Sequence, residues 1–407
     1  MKILVLNAGS SSQKSCLYQL THTLPDSPPP PLWEAKVDWT RHQGVAMLKV
    51  KTARGSLEEE LETDSRPTVI ARLLDTLVNG QTQVIDNIAD IDIVGHRVVH
   101  GGEDYREATI ITPEVKDAIL LLADFAPLHN PANLEGIEAV EQLLPSVMQV
   151  AVFDTAFHRQ LPQAAAVYPG PYAWFEQGIR RYGFHGISHQ YCAQRAATLL
   201  ECDLHSLRLI VCHLGNGCSL SAIRGGVSVD TTMGFTPLEG LMMGSRCGSI
   251  DPGILTYLLR QGIDADKLDD ILNHESGLKG ISGSQDMRTV QSAKASGDSR
   301  AQLAFDMYVH SLRKHIGAML ATLGGLDAIV FTGGVGENQA QIRALACESF
   351  AFVGLKLDAA KNADSPGDTD ISTPDSTVRV LIVNTQEDWA IAAECWKLKL
   401  DSQPKTN

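Results

Sequence analysis

The chain has 407 residues, of which 44% are hydrophobic and 20% are charged, and its formal net charge is −14 at pH 7. This length exceeds what one ordinary hydrophobic core serves, so we expect two domains. The negative charge argues against nucleic acid or an anionic membrane as a partner.

The cysteines and the apolar runs point to a reducing, non-membrane setting. The eight cysteines form no Cys-x-x-Cys pair and no zinc-like spacing, so we expect reduced thiols in a cytoplasmic protein. No apolar run approaches the ~20 residues of a membrane span. The first run, Ile3 to Leu6, is too short for a signal peptide.

Short apolar runs closed by turn residues predict buried strands, and helical stretches lie between several of them. The predicted strands are 2–6, 91–95, 148–153, 209–212, 219–223, 328–331 and 378–383. The predicted helices are 113–125, 132–144, 188–201 and 299–323. In the last of these, Leu312, Ile316 and Met319 recur at helical spacing and form one apolar face. Strands interleaved with helices indicate an α/β chain with mixed sheets.

Two segments are predicted to be surface insertions. PDSPPPPLW, residues 25–33, cannot continue a sheet or a helix because proline lacks the amide donor. ADSPGDTDISTPDST, residues 363–377, is polar, acidic and broken by proline, which is typical of a loop. We expect neither segment to carry chemistry.

Two common nucleotide-binding patterns are absent from the sequence. G-x-x-x-x-G-K-[ST] does not occur, and GGVGEN at 333–338 does not satisfy G-x-G-x-x-G. Loops of small residues can hold phosphates through backbone amides and hydroxyls, with cations closing the site. In LNAGSSSQK, Asn7, Ser10, Ser12 and Lys14 suit that role. The alternative is a solvated turn whose serines cap the next element.

Two further glycine segments follow later strands. HLGNGCSLSAIRGG, residues 213–226, carries Asn216-Gly217 between two strand-like runs, which is typical of a hairpin. LDAIVFTGGVGEN, residues 326–338, runs from a buried strand into a glycine loop, where open α/β sheets bind ligands. Taken alone, each is equally well a plain turn. LVLNAGSSS and IVCHLGNGCS also share one design, which leaves an internal duplication open.

Charged side chains stand in six apolar or glycine-bounded stretches, where a charge is costly unless it is paired. They are Arg97 and His100 in GHRVVHGG, His129 in PLHNPAN, Asp154 in FDTAFH, His185 in YGFHGISH, Arg246 in MMGSRCGSIDPG, and Glu387 and Asp388 in NTQEDWAIA. Each one alone is more often structural than catalytic; Glu387, for example, suits a helix N-terminus. Their occurrence together at strand ends and in glycine loops indicates a site.

These motifs, in this order, resemble the acetate kinase family from residue 1 to about residue 393. The resemblance implies the superfamily of acetate and sugar kinases, heat-shock chaperones and actin, with two duplicated RNase H-like domains around a central nucleotide cleft. We therefore expect one domain over 1–154, completed by a helix at about 385–407, and a nucleotide-binding domain over 155–384. The resemblance also implies a cytoplasmic homodimer that uses ATP and acetate, with Mg²⁺, or Mn²⁺ in its place.

Carried over by position, the resemblance assigns roles to motif residues. Asn7 and Glu387 correspond to magnesium ligands, and Asp154, His185 and Arg246 to catalytic residues. The acetate site comprises Arg97 as the carboxylate clamp with Val99, Leu128, Phe184 and Pro237 around the methyl group. The nucleotide contacts are Ser10, Ser12, Lys14, His213, Leu214, Gly215, Asn216, Gly217, Asp286, Met287, Arg288, Gly334, Val335, Gly336, Glu337 and Asn338. The sequence departs from the family at Ser249, where an acidic residue is common, and at Asp388, where a second glutamate is usual.

The reaction implied is reversible in-line transfer of the γ-phosphoryl of ATP to acetate, which gives acetyl phosphate and ADP. Carboxylic acids titrate near pH ~4, so acetate is already anionic at neutral pH and needs no general base. We therefore expect Asp154 to orient a metal-bound water or Arg97 rather than to remove a proton.

Two alternatives stay open at this stage. One methylene changes discrimination by only ~1–3 kcal/mol, so the acceptor could equally be propionate or another short acid. The alternative of another class is a non-catalytic ATP-dependent clamp of the same superfamily. Arg97 and Arg246 argue against that clamp, because a clamp needs no carboxylate site.

Overall fold

The computed structural model describes residues 1–9, 12–21, 23–42, 44–63, 65–127, 129–364 and 367–401. Strands β1 to β14 are, in chain order, Lys2–Ala8, Ser12–Gln19, Trp33–His42, Val45–Thr52, Ser56–Leu61, Ile93–Val98, Thr109–Ile110, Met148–Phe153, Arg208–Leu214, Cys218–Arg224, Val227–Thr231, Ala328–Thr332, Thr369–Asp370 and Arg379–Ile382. Helices α1 to α15 are Arg66–Val78, Pro113–Leu121, Asn130–Leu143, Gln163–Ala166, Tyr172–Glu176, Gly186–Leu199, Pro252–Arg260, Ala265–His274, Gly277–Ser282, Met287–Ala295, Ser299–Leu323, Gly333–Asn338, Ala340–Glu348, Ala359–Asp364 and Glu387–Asp401. Short 3-10 helices lie at Gly80–Thr82, Ile88–Asp90, Leu122–Asp124, Ala156–His158, Leu204–Ser206 and Ala351–Val353. Within these ranges, no helix combines the length and the apolar character needed to cross a membrane.

The chain divides into two compact units, Met1–Ala156 with Gln386–Asn407, and Phe157–Thr385. The sheet of the first unit has the order β5-β4-β3-β2-β1-β6-β8-β7, and that of the second has the order β11-β10-β9-β12-β14-β13. β1 pairs antiparallel with β2 and parallel with β6, and β6 pairs parallel with β8. β9, β10, β12 and β14 repeat these directions. The predicted α/β fold with two mixed sheets is confirmed. The apolar parts of LVLNAGSSS and IVCHLGNGCS lie in β1 and β9, the first strand of each sheet in chain order.

In the first unit, helices cover both faces of the sheet around β1. Leu4 and Leu6 of β1 belong to a buried cluster with Leu73 and Leu77 of α1, whose apolar residues recur at helical spacing. Successive strand residues point to opposite faces, so Asn7 lies on the face opposite Leu4 and Leu6.

Helix α15 packs on β1, β6 and β2. A Cβ atom placed on Gly95 of β6 would lie 2.6 Å from Cys395 Sγ and 2.7 Å from Ile391 Cγ2 of α15. Only glycine allows this approach, which brings the start of α15 to the end of β1.

The long helix α11 organises the second unit. Asp298 caps its N-terminus by accepting hydrogen bonds from the amides of Arg300 at 2.8 Å and Ala301 at 3.1 Å. The helix ends at Gly324, whose φ of 65° is left-handed. Leu312 and Ile316 are fully buried, as the apolar face predicted. Helix α6 packs against β9 and β12, and the YGFHGISH motif runs from the residues before this helix into its first turn.

Two predicted loops are partly wrong. Trp33, the last residue of the predicted insertion, begins β3, is fully buried, and donates from Nε1 to Thr76 Oγ1 at 3.2 Å. Segment 363–377 contains β13, because Arg379 donates from Nε to Asp370 Oδ2 at 2.8 Å and holds that edge strand against β14. Trp33 is thus held by a residue 43 positions away, and β13 by a residue nine positions away.

The predicted glycine loop at 333–338 is also wrong as a loop. These residues form helix α12, directly after β12. The carboxylate of Glu337 accepts a hydrogen bond from the amide of Gly333 at 2.9 Å, and the fully buried Arg343 donates to the carbonyl of Gly336 at 2.7 Å. These two contacts satisfy both ends of a short glycine-rich turn that would be unstable alone.

Candidate active site

The end of β1 brings the side-chain amide of Asn7 to two carboxylates. Asn7 lies directly opposite Lys14 in the antiparallel register. Asn7 Nδ2 donates to Glu387 Oε2 at 3.2 Å and to Asp388 Oδ1 at 2.9 Å. Both carboxylates belong to the first turn of α15, where the helix dipole favours negative charge.

Of the two serines predicted as phosphate contacts, Ser10 and Ser12, the structure describes only Ser12. Ser12 opens β2, and its carbonyl accepts the amide of Gly9 at 2.8 Å. Ser10 lies outside the described residues. The described part of this stretch therefore joins the end of β1, next to Asn7, to the start of β2 through the contact between Gly9 and Ser12.

The donor set at Asn7 fits a hard divalent cation. Burial raises the pKa of Asp388, and the neighbouring carboxylate of Glu387 raises it further, against the lowering effects of Asn7 and Lys14. Mg²⁺ in proteins is commonly held by one or two carboxylates together with substrate phosphates and water. The described residues hold no cluster of three or more His, Cys, Asp or Glu with metal-binding geometry. Two adjacent carboxylates beside an amide match the sparse magnesium pattern.

The ends of two neighbouring parallel strands bring Arg97 to Asp154. Arg97 donates from Nε at 3.1 Å and from Nη2 at 2.5 Å, both to Asp154 Oδ2. The Asp154 side chain is 1% exposed, and its amide donates to the carbonyl of Val98 at 2.9 Å. Burial lowers the pKa of Arg97, but the carboxylates of Asp154, Glu387 and Asp388 outweigh burial and raise this pKa overall. Arg97 is therefore a fixed, permanently charged guanidinium.

This arrangement leaves Arg97 able to bind an external carboxylate. Asp154 accepts hydrogen bonds from Nε and Nη2 of Arg97, and no described residue accepts one from Nη1 of Arg97. A guanidinium can bind carboxylates along more than one edge, which an ammonium cannot do with the same geometry.

Two asparagines of α3 support the chain just after Arg97. The amide of Val99 donates to Asn133 Oδ1 at 3.2 Å, and that of His100 to Asn130 Oδ1 at 3.1 Å. Both asparagines lie in PLHNPAN, in which only His129 and Leu128 were predicted as candidate site residues. Val99 itself is 3% exposed, and Leu128 lies outside the described residues.

In the second unit, His185 and Arg246 converge on the glycine loop between β9 and β10. A Cβ atom placed on Gly217 would lie 3.5 Å from His185 Nε2 and 3.6 Å from Arg246 Nη1. The loop is tight, since the amide of Gly215 donates to the carbonyl of Gly217 at 3.0 Å. The predicted Asn-Gly hairpin is confirmed. A bare backbone, a ring nitrogen and a guanidinium thus face one small space.

Neighbouring segments fix Arg246 beside this loop. Arg246 Nη1 donates to the carbonyl of Pro237 at 3.3 Å. The amide of Gly244 donates to the carbonyl of Asn216 at 3.0 Å, and a Cβ on Gly244 would lie 2.1 Å from Asn216 Oδ1. The predicted residues Asn216, Gly217, Pro237 and Arg246 therefore lie together in this unit.

His185 has a strained backbone that aims its ring. Its φ of 56° and ψ of 25° are left-handed, a conformation that costs a non-glycine residue roughly 1–2 kcal/mol. Gly183 precedes it with φ of 78°, and a Cβ there would lie 2.6 Å from His158 Cδ2. The His185 ring stacks on His213 with centroids 4.3 Å apart. Phe184, predicted near the methyl group, is 1% exposed.

A buried hydroxyl network lies behind these rings. Ser219 Oγ is 2.9 Å from His185 Nδ1 and 2.7 Å from His189 Nε2. Ser188 Oγ is 2.8 Å from His213 Nδ1. The sequence analysis missed Ser188 and His189, because serine and histidine near a helix start are also typical of simple capping, and Ser219, because a single serine within a strand carries no signal of its own.

Helices α12 and α10 form the remaining predicted nucleotide segments. Glu337 Oε1 also accepts the amide of Thr385 at 3.1 Å, and Asn338 Nδ2 donates to the carbonyl of Gly334 at 2.9 Å. A Cβ on Gly333 would lie 2.8 Å from the carbonyl oxygen of Leu214. α12 is thereby held against the end of β9.

The predicted triplet 286–288 opens α10. Asp286 caps this helix and pairs with Arg288, whereas Met287 is 3% exposed and belongs to the core. Gln291 Nε2 of α10 donates to Gln339 Oε1, directly after α12, at 2.9 Å. The two predicted adenosine-side segments are thus neighbours.

Comparison with known proteins identifies the chain's relatives. The model of the acetokinase family matches residues 2–393. The chain belongs to this family. An acetate kinase of Cyanothece sp. (strain PCC 7425 / ATCC 29141) is 64% identical over 98% of both chains. One of Nostoc punctiforme is 63% identical over 98% of this chain and 99% of the relative.

Solved structures of acetokinase relatives show the same fold. The acetate kinase of Porphyromonas gingivalis has a TM-score of 0.89 at 40% identity and covers 98% of this chain and 99% of its own. A propionate kinase from Francisella tularensis also has a TM-score of 0.89, at 38% identity, and covers 97% and 99%. Equal similarity to both means that the backbone does not separate the two acceptors.

Proposed function

We propose that this acetokinase family member reversibly transfers the γ-phosphoryl of ATP to acetate. An acetate oxygen forms a bond to the γ-phosphorus, and the bond to the β–γ bridging oxygen breaks with its electron pair leaving on ADP. The observation that carries the proposal is the convergence of His185 and Arg246 over the bare backbone of Gly217. Such a space suits a phosphoryl group, whose transfer depends on positioning and charge neutralisation.

Arg97 is the residue that holds the acceptor. Its guanidinium has the planar geometry that matches a carboxylate, and it stays charged among its acidic neighbours. Asp154 orients Arg97 through two hydrogen bonds to one oxygen. Because acetate is already anionic at neutral pH, Asp154 is a positioning residue and removes no proton.

His185 and Arg246 stabilise the phosphoryl group during its transfer. Arg246 neutralises charge on the equatorial oxygens, a role worth ~10³–10⁵ in rate for an arginine in related chemistry. His185 donates a hydrogen bond from its ring. The backbone amide of Gly217, together with His213, holds the phosphates, and the segments at α12 and α10 lie on the adenosine side.

Asn7, Glu387 and Asp388 would hold Mg²⁺, or Mn²⁺ in its place. When bound, the ion neutralises charge on the nucleotide phosphates. The chain's own contribution is to set two carboxylates side by side around the Asn7 amide. Lys14, exposed opposite Asn7, adds a mobile positive charge for phosphate oxygens.

We infer that the protein is a homodimer and acts in the cytoplasm. Ile254, Tyr257 and Leu259 of α7 are 45%, 59% and 45% exposed, and exposed apolar side chains of this size are what a second copy would cover. All eight cysteines are free thiols, which fits a reducing compartment. Light scattering would test the first inference: a monomer at micromolar concentration contradicts it.

Propionate is the second candidate acceptor, favoured by the equal similarity to a propionate kinase. The test is ADP formation with ATP and Mg²⁺ in the absence of acid, and then with acetate, propionate or butyrate. We expect no ADP without acid and the highest kcat/KM with acetate. A higher kcat/KM with propionate would establish the second candidate. ADP formation at the same rate without any acid would contradict both and indicate an ATP-dependent clamp.

A further inference from the structure

Ser219, the second residue of β10, is fully buried and lies between two histidines. Its hydroxyl is 2.9 Å from His185 Nδ1 and 2.7 Å from His189 Nε2. The hydroxyl has a single hydrogen and two lone pairs, and no other described residue accepts that hydrogen, so Ser219 donates to one ring and accepts from the other. The direction of this bridge therefore decides which nitrogen of each neutral ring carries its proton.

His189 sets that direction. It is fully buried, and its Nδ1 contacts no donor or acceptor among the described residues. A buried N–H without an acceptor is rarer than a bare acceptor without a donor. Burial, helped by the nearby rings of His158 and His213, lowers the pKa of His189 well below its usual value, so this ring carries one proton. That proton therefore lies on Nε2, which donates to Ser219.

The direction of this hydrogen-bond bridge also determines the tautomer of His185. Ser219, which accepts from His189, donates its own hydrogen to His185 Nδ1. When the ring of His185 carries one proton, that proton therefore lies on Nε2, which, like Arg246 Nη1, lies close to Gly217. With the bridge reversed, His185 would present a lone pair to an anionic phosphoryl group.

We propose that Ser219 and His189 are positioning residues that hold His185 in the Nε2–H tautomer and so aim a hydrogen-bond donor at the transferring phosphoryl group. The catalytic consequence rests on the proposed function, whereas the tautomer itself does not. Neither residue touches the substrates; both act through His185. The strained left-handed backbone of His185 places the ring, and the hydroxyl bridge sets its proton.

The direct test is ¹⁵N NMR of the histidine rings in the intact protein at neutral pH. Spectra of His185→Gln assign the His185 signals by difference. We expect wild-type His185 as the Nε2–H tautomer and Ser219→Ala as a mixture of both tautomers. Ser221→Ala removes an equally buried hydroxyl of β10, which bonds to Thr231 instead, and should leave the tautomer unchanged. A wild-type proton on Nδ1 would overturn the proposal, even if Ser219→Ala failed to fold.

Kinetics supply the second readout. Ser219→Ala should lower kcat by roughly 10- to 100-fold, as when the partner that orients a functional histidine is lost, with little change in KM for ATP. In a His185→Gln background it should have no further effect, because the glutamine amide donates at the same position without the bridge. An undiminished effect of Ser219→Ala in that background would overturn the proposal. If the wild type made no acetyl phosphate, the proposed function would fail while the tautomer result stood.

Discussion

Asp154 binds Arg97 through a single carboxylate oxygen, which accepts from Nε at 3.1 Å and from Nη2 at 2.5 Å. The pair joins the ends of two parallel strands, β6 and β8, and the carboxylate is buried. The guanidinium is thereby fixed in orientation before any substrate arrives. Such preorganisation saves the cost of ordering a long side chain when the acceptor binds.

Replacement of Arg97 by lysine should selectively weaken acetate binding. An ammonium cannot hold both Asp154 and an acetate carboxylate with the guanidinium's geometry, so the loss should be about 1.5–3 kcal/mol, or roughly 10- to 100-fold in KM for acetate. KM for ATP should change little. Arg72→Lys, which alters a surface ion pair with Glu59, is the matched control. Equal increases in both KM values would contradict a carboxylate role.

Asp154→Asn tests whether Asp154 orients or titrates. The amide keeps an oxygen that can accept from Arg97 but removes the charge. We expect kcat/KM for acetate to fall by about tenfold, as for one charged hydrogen bond, while the pH–rate profile keeps its position. Steady-state rates across the pH range provide the measurement. Disappearance of the acid limb alone would show that Asp154 is a general base.

Arg246→Ala should impair the chemical step. Because its charge is needed most as the phosphoryl moves, kcat should fall by about 10³-fold or more, with KM for ATP changed only a few-fold. Arg224→Ala, at the far end of β10 where the side chain bonds to the carbonyls of Thr322 and Leu323, is the control. An unchanged kcat would remove Arg246 from the transition state.

Glu387→Gln should raise the Mg²⁺ concentration required for half-maximal activity. Loss of one of two adjacent carboxylates weakens a site built on hard oxygen donors, and we expect about a tenfold shift. Glu394→Gln alters the same helix where Glu394 pairs with Lys397, and should give the wild-type metal curve. Identical Mg²⁺ titrations for both variants would place the metal elsewhere.

Buried neutral histidines should make folding sensitive to acid. Burial lowers the pKa of His158 to about 4, helped by Arg181, and burial lowers that of His96 to about 4. An unfolded histidine titrates near 6.5, so this stability is complete above pH ~6.5 and declines towards pH ~4. Each such histidine contributes a slope of up to about 1.4 kcal/mol per pH unit.

His158→Gln isolates one of these contributions. Glutamine can still donate to the carbonyl of Phe184, which His158 Nε2 contacts at 3.1 Å, but it does not titrate. Urea unfolding at several pH values should show a shallower decline in the free energy of unfolding for this variant. Exposed His274→Gln should retain the wild-type slope. Parallel slopes for wild type and His158→Gln would contradict the assignment.

The sequence predicted elements whose signal is local. Strand 148–153 is a continuous apolar run, and helix 299–323 combines an apolar face with Asp298 before it and Gly324 after it; both have the predicted bounds. The strands β3 to β5 gave no such signal. In β5, exposed and half-buried residues alternate, so no apolar run marks it, and only pairing with β4 orders the segment.

The residues of the candidate site likewise divide into those with a local sequence signal and those without one. Motif residues such as Arg97, His185 and Arg246 could be predicted because a charged side chain in a glycine-bounded apolar stretch is costly unless it is paired. Their partners did not stand out. Asn7 and Asp388 are 381 positions apart, and the bridge from His185 through Ser219 to His189 depends on strand register. Such pairings arise from tertiary packing, which motif spacing does not encode.

Acetate labelled with oxygen-18 in both carboxyl oxygens tests the central claim most directly. Incubated with the protein, ATP and Mg²⁺, it should yield acetyl phosphate whose phosphorus carries one directly bonded oxygen-18, seen as an isotope shift by ³¹P NMR. That result requires the acetate oxygen itself to attack the γ-phosphorus. Acetyl phosphate with no oxygen-18 on phosphorus, or ADP and phosphate in its place, would contradict the account.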